Sequence, residues 1–139
     1  MSEMPGRERL KFVDFEFVKQ ADGHCNSRVV LERSPGHQFT GSSQAFGAQA
    51  GELRCAAQAA TEALQNAVGD QMRFELLGVK AVRAFDALVI IVSISCYDGA
   101  PATRLVGSCL SEKDQHRCAA LAVLNATNRL LGNLVFVDR

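Results

Sequence analysis

The chain has 139 residues and a mass of 15.0 kDa, 47% of it apolar and 22% charged, which is enough for one packed domain and excludes a disordered chain. Fifteen Lys and Arg balance fifteen Asp and Glu, so no global field draws the chain to nucleic acid and none repels a second copy. The apolar runs Ala87 to Val92 and Cys118 to Leu124 are far too short to span a membrane, and Met1 to Arg9 is charged without the apolar centre of a secretion signal, so a cytoplasmic location is expected.

From the N-terminus, Leu10 to Lys19 alternates, with Phe15 and Phe17 on one face and Val13 in phase, which predicts a strand. Ala21-Asp22-Gly23 reads as a turn, and Ser27 to Arg33 as a second strand carrying Val29, Val30 and Leu31. Ser34-Pro35-Gly36 is a hairpin signal, followed by a short third strand, Gln38 to Thr40. A small-residue loop from Gly41 to about Ala48 then leads into a helix from Gln49 to Val68. Leu53, Ala57, Ala60, Leu64 and Ala67 form its apolar stripe, and Gly69 stops it.

The second half repeats the order. Arg73 to Arg83 is a strand, Ala84-Phe85-Asp86 a turn, and Ala87 to Cys96 a strand apolar on both faces. Asp98-Gly99 marks a hairpin and Thr103 to Ser108 the third strand. Ser111 and Asp114 stand like a capping box, and a helix is predicted from about Glu112 to Leu131, with Leu121, Leu124, Asn128 and Leu131 on one side. The tail, 133–139, is short and apolar and suits an added strand or an edge cover.

The two halves also match residue by residue. Arg54-Cys55-Ala56-Ala57 recurs as Arg117-Cys118-Ala119-Ala120, 63 positions on, and Ala59, Ala63 and Gly69 recur as Ala122, Ala126 and Gly132. Gly41 and Gly107 correspond after a gap of three. The common order indicates an internal duplication. The expected fold is therefore α+β: one domain over 1–139, built from two βββα repeats at 10–69 and 72–132 about a pseudo-two-fold, each antiparallel sheet covered by one helix. A unit of roughly 60 residues is marginal alone. Two can share a core, and their remaining sheet faces suit a homodimer.

Five cysteines without C-x-x-C spacing form neither a disulfide framework nor a zinc site. Cys55 and Cys118 are expected at equivalent, buried, unreactive helix positions. His24 and His37 follow glycines in turns, and no histidine pair has metal-ligand spacing. No Walker-type loop, G-x-S-x-G or paired metal motif occurs, so no catalytic residue, cofactor or metal is assigned.

Candidate ligand-binding residues lie where each third strand meets its helix: Gly41, Ser42, Ser43 and Gly47 in one half, Gly107, Ser108 and Ser111 in the other. Glycine admits a ligand to the backbone, and a helix start offers N–H groups to an anion. The same residues also turn chains and cap helices. Asp114 reads as a helix-dipole partner, not a catalyst. Arg54 and Arg117, early on their helices, call for an anionic partner or a cross-repeat ion pair.

Gly107, Asp114 and Ala122, followed by Asn125-Ala126-Thr127-Asn128-Arg129-Leu130-Leu131, together with Phe85-Asp86-Ala87-Leu88, carry a resemblance. The chain resembles the C-terminal regulatory domain of 2-isopropylmalate synthase and its citramalate synthase relatives, over residues 10–132. The resemblance implies a double βββα fold, dimerisation, and a feedback amino acid bound between the repeats. Three departures stand out. The segment 45–52 lacks the family's proline and aspartate, and Cys118-Ala119 stands where Ala-Ser is usual; no catalytic barrel accompanies the domain in this chain. Two functions follow: a stand-alone regulatory module binding a small amino-acid-like or anionic ligand between repeats, or a non-catalytic assembly module docking on another protein.

Overall fold

The computed structural model describes residues 10–33, 36–99, 101–128, 130 and 135–137. The first repeat comprises β1 (Leu10–Lys19), β2 (His24–Arg33), β3 (His37–Phe46) and α1 (Gln49–Val68). The second comprises β4 (Arg73–Ala84), β5 (Ala87–Tyr97), β6 (Thr103–Ser111) and α2 (Gln115–Asn128). A last strand, β7 (Val135–Val137), pairs in parallel with β1. The sheets run β3-β2-β1-β7 and β4-β5-β6. The fold is α+β, a duplicated βββα unit.

Alternation builds both sheets. Cys25, Ser27, Val29 and Leu31 of β2 turn inward and are buried, as are Ile90, Val92, Ile94 and Cys96 of β5. Helix α1 packs on β2 and β3, and α2 on β5 and β6; the helices also pack on each other. Each reaches the opposite repeat as well, α1 at β4 and α2 at β1. One core results, with Ala56, Ala57, Ala60, Ala119 and Ala120 fully buried in it. Small side chains let helix and sheet backbones approach closely.

Two details extend the duplication beyond sequence identity. β1 bulges between Phe12 and Asp14, and β4 bulges between Leu76 and Gly78, each opposite the inner residues of its central strand. Gly41 of β3 lies against Ala59 and Ala63 of α1, so a methyl there would overlap the Ala59 carbonyl and the Ala63 amide nitrogen. Gly107 of β6 lies in the same way against Ala122 and Ala126 of α2.

Several boundaries differ from the sequence reading. β2 begins at His24, not Ser27, and β3 extends from Thr40 to Phe46. Gly41, Ser42 and Ser43 therefore lie in a strand and not in a loop. β6 likewise continues to Ser111, so Gly107, Ser108 and Ser111 are strand residues. Gly41 and Gly107, which read as loop signals, are required by helix contact instead. Only Phe85 and Asp86 turn the β4–β5 hairpin, both at positive φ (55° and 59°), and Ala84 is the last residue of β4.

α1 has the bounds expected of it, while α2 starts three residues later than the repeat suggests. Asp114 Oδ1 accepts the Arg117 N–H at 3.1 Å, a side-chain N-cap that sets this start. The first turn of α1 has no counterpart in α2. That turn accounts for the gap of three between the strand and helix correspondences. Ser34, Pro35 and Leu131 lie outside the described residues.

Candidate functional site

The helix starts meet at the junction of the repeats. Gln49 Nε2 donates to Gln115 Oε1 at 2.7 Å, joining the first residues of the two helices. One turn on, Glu52 is buried between three elements. Its Oε2 lies 2.7 Å from Lys19 Nζ of β1, and its Oε1 lies 3.0 Å from His116 Nε2 of α2. The His116 ring stacks on Phe17 with centroids 3.8 Å apart. The bond to Lys19, then that to His116, holds the Glu52 carboxyl below its ordinary pKa, and Glu52 in turn raises Lys19. The region between the repeats, where a ligand was expected, is thus occupied by side chains bonded to one another.

Arg54 and Arg117 find partners other than carboxylates. Arg54 Nη2 donates to the Leu76 carbonyl of β4 at 3.2 Å, and the Arg117 guanidinium sits 4.7 Å from the centre of the Phe12 ring of β1.

A concavity does open beside this junction, within the second repeat. It lies between β6 and α2, has a volume of about 1040 Å³, and is open to solvent. Lys113, Asp114 and Arg117 line it at the helix start, and Leu121, Leu124, Asn125 and Asn128 along the helix. Ser108, Cys109, Leu110 and Ser111 of β6 form the opposing wall. Asn125 Oδ1 accepts the Ser108 N–H at 3.1 Å, satisfying a donor on this edge strand. Asn128 Oδ1 is enclosed without a hydrogen bond from the described residues.

Of the seven candidate residues, Ser108 and Ser111 line this cleft. Gly107 lies beneath α2 and is closed to a ligand. Ser42 and Ser43 line a different, smaller depression with Glu16, Arg28 and Gln44 on the first sheet. Gly47 turns the chain between β3 and α1 at φ 124°. Lys113, Leu121 and Leu124 are cleft residues that the motif search passed over. The i, i+4, i+7 and i+11 spacing of Arg117, Leu121, Leu124 and Asn128 was the available signal.

Four of the five thiols, those of Cys25, Cys55, Cys96 and Cys118, are shielded. Cys55 is 1% exposed, and burial, with the Cys25 thiol beside it, pushes its pKa up to about 11. The neighbouring Cys109 thiol and burial raise Cys118 as well. Burial also raises Cys96. Raised values favour the unreactive thiol form. Among the described residues, no group of three or more His, Cys, Asp or Glu is placed to hold a metal, and no helix is long and apolar enough to cross a membrane.

No protein-family model matches this chain, and no curated protein matches it.

Proposed function

We propose that the chain is a non-catalytic, regulatory-type binding module that takes a small amino-acid-like or anionic ligand in the cleft between β6 and α2. The observation that carries this reading is the division of the cleft lining. Lys113 and Arg117 suit a carboxylate, Asp114 an ammonium group, and Leu110, Leu121 and Leu124 an apolar side chain. Helix α2 begins at the charged end, and its dipole favours an anion there. The resemblance to the 2-isopropylmalate synthase regulatory domain also rests mainly on the second repeat. This position replaces the inter-repeat one, because Gln49, Glu52, Gln115 and His116 close the junction with their own hydrogen bonds.

Thermal-shift measurements against amino acids, 2-oxo acids and nucleotides test the proposal. An amino acid or a 2-oxo acid raises the melting temperature of the wild type, and the exposed substitution Lys113→Glu removes that rise. Failure of every compound to stabilise the protein, or a rise that persists in Lys113→Glu, overturns it. A second reading, an assembly module, is favoured by a separate feature, the exposed Val82 and Val106 on the outer side of the second sheet.

A further inference from the structure

The duplication places a cysteine at one position in both helices, and each has a second thiol beside it. Cys55 of α1 neighbours Cys25 of β2, and Cys118 of α2 neighbours Cys109 of β6. The two pairs differ in access. Cys25 and Cys55 are each 1% exposed, so a reagent in solvent reaches neither sulfur. Cys118 is buried too, but Cys109 is partly exposed, and both line the solvent-open cleft.

Strand register explains why Cys109 and Cys118 meet. Alternation along β6 turns Leu105, Gly107, Cys109 and Ser111 toward α2 and leaves Arg104, Val106, Ser108 and Leu110 exposed. Gly107 rests against Ala122. α2 returns antiparallel to β6 after a short connection, so two residues further along the strand lies one turn nearer the helix start. That step sets Cys109 opposite Cys118. The Cys118 thiol accordingly lies beside both Cys109 and Ser111. A disulfide needs Cα atoms about 4.4–6.8 Å apart. Packing through large side chains would hold the backbones too far apart, and the glycine contact draws them together. In the first repeat the position equivalent to Cys109 is Ser43, and Cys55 donates to its carbonyl at 3.4 Å. The same geometry there cannot form a bridge.

We propose that Cys109 and Cys118 are an oxidisable dithiol, in which a peroxide attacks at Cys109 and Cys118 then closes a disulfide between β6 and α2. The inference stands apart from the ligand reading and needs no bound ligand. In the first step the Cys109 sulfur takes one peroxide oxygen, the O–O bond breaks, and a sulfenic acid and water form. In the second the Cys118 sulfur attacks the Cys109 sulfur, the S–O bond breaks, and hydroxide leaves with the Cys118 proton as water. Two thiols lose two electrons to one peroxide. Lys113 and Arg117 line the same cleft and supply the positive surroundings in which thiols oxidise most readily. Burial shields Cys118 from reagents in solvent but not from the sulfur beside it. The bridge encloses the segment 110–117, which carries Lys113 and the capping Asp114.

Hydrogen peroxide treatment of the reduced full chain, then alkylation in denaturant and non-reducing tryptic mapping, tests it. Cleavage after Lys113 and Arg117 puts the two cysteines on separate peptides. The expected product links the Cys109 peptide to the Cys118 peptide, with the chain lighter by about 2 Da for the two hydrogens lost. Cys25, Cys55 and Cys96 remain alkylated, and dithiothreitol reverses the change. Cys118→Ala, which keeps small-residue packing in α2, stops at a Cys109 sulfenic acid that dimedone traps. The wild-type map decides the bridge whether or not that variant folds. Oxidation of Cys109 to a sulfinic acid with Cys118 left as a thiol overturns the proposal. Bridging of Cys25 to Cys55 first, linkage of Cys109 to a second chain, or a wild type left unmodified by peroxide overturns it as well.

Discussion

Arg54 and Arg117 occupy equivalent helix positions, and each reaches across to the first strand of the other repeat. Arg54 bonds the Leu76 carbonyl at the β4 bulge, and Arg117 covers Phe12 at the β1 bulge. Phe12 and Leu76 are themselves equivalent. The same side chain therefore ties each helix to the neighbouring sheet, once through a hydrogen bond and once through a ring face. The reciprocal contacts couple two units that are each marginal alone.

Arg117→Lys is expected to separate these roles. Lysine keeps the charge but loses the planar face that stacks on Phe12. The expected cost is about 0.5–1 kcal/mol in urea unfolding. A variant as stable as wild type would show that the ring contact contributes nothing.

Gly107→Val is expected to destabilise the fold, because the added side chain meets the α2 backbone at Ala122 and Ala126. The loss should be at least about 1–3 kcal/mol, as for other overpacked sites. Gly41→Val should behave similarly against α1. Gly78→Ala is the control: its methyl meets nothing within 4 Å, and its urea midpoint should stay close to that of wild type.

Removing the cap at α2 should also be measurable. Asp114→Ala leaves the Arg117 N–H without its 3.1 Å partner and should cost about 0.5–2 kcal/mol. Asp114→Asn retains an acceptor and should recover most of that loss. Chemical denaturation of the two variants checks the ordering.

Acid stability should depend on Glu52. Its folded pKa lies below the ordinary value of 4.5, so in acid the unfolded chain binds the proton more readily than the folded one. The stabilisation is present above the unfolded value and is lost as pH falls through the folded value. Melting temperature should fall on the acid side of pH 4.5, with a shallower fall in Glu52→Gln. Equal slopes in wild type and variant would remove Glu52 from the acid transition.

Thiol labelling of the native protein should divide the cysteines. Cys25, Cys55, Cys96 and Cys118 are buried, and Cys109 is partly exposed on the cleft wall. A single fast-reacting thiol, at Cys109, is expected with a neutral reagent. Fast labelling of Cys55 or Cys118 would contradict the shielding seen around them.

Local pattern was enough to determine the duplication, the element order and the span of α1. The three-and-four spacing from Leu53 to Ala67 reports directly which side of α1 is buried, whereas in β1 the bulge between Phe12 and Asp14 shifts the phase of the alternation and leaves Val13, in phase with Phe15 and Phe17 by sequence, 38% exposed. The repeated Arg-Cys-Ala-Ala located the helix positions that proved buried in both halves. The ends of β3 and β6 were not legible in this way. Gly41, Ser42, Gly107 and Ser108 carry loop-like composition, and only the nearness of Ala59 and Ala122 explains why a glycine stands within each strand there. The start of α2 was set by the Asp114 side chain, although the repeat suggested an earlier turn. Tertiary structure alone decided that the helix junction is filled by Gln49, Glu52, Gln115 and His116, and that the open cleft lies against α2. Each depends on contacts between residues far apart in the chain, and local periodicity records which residues are buried without recording what buries them.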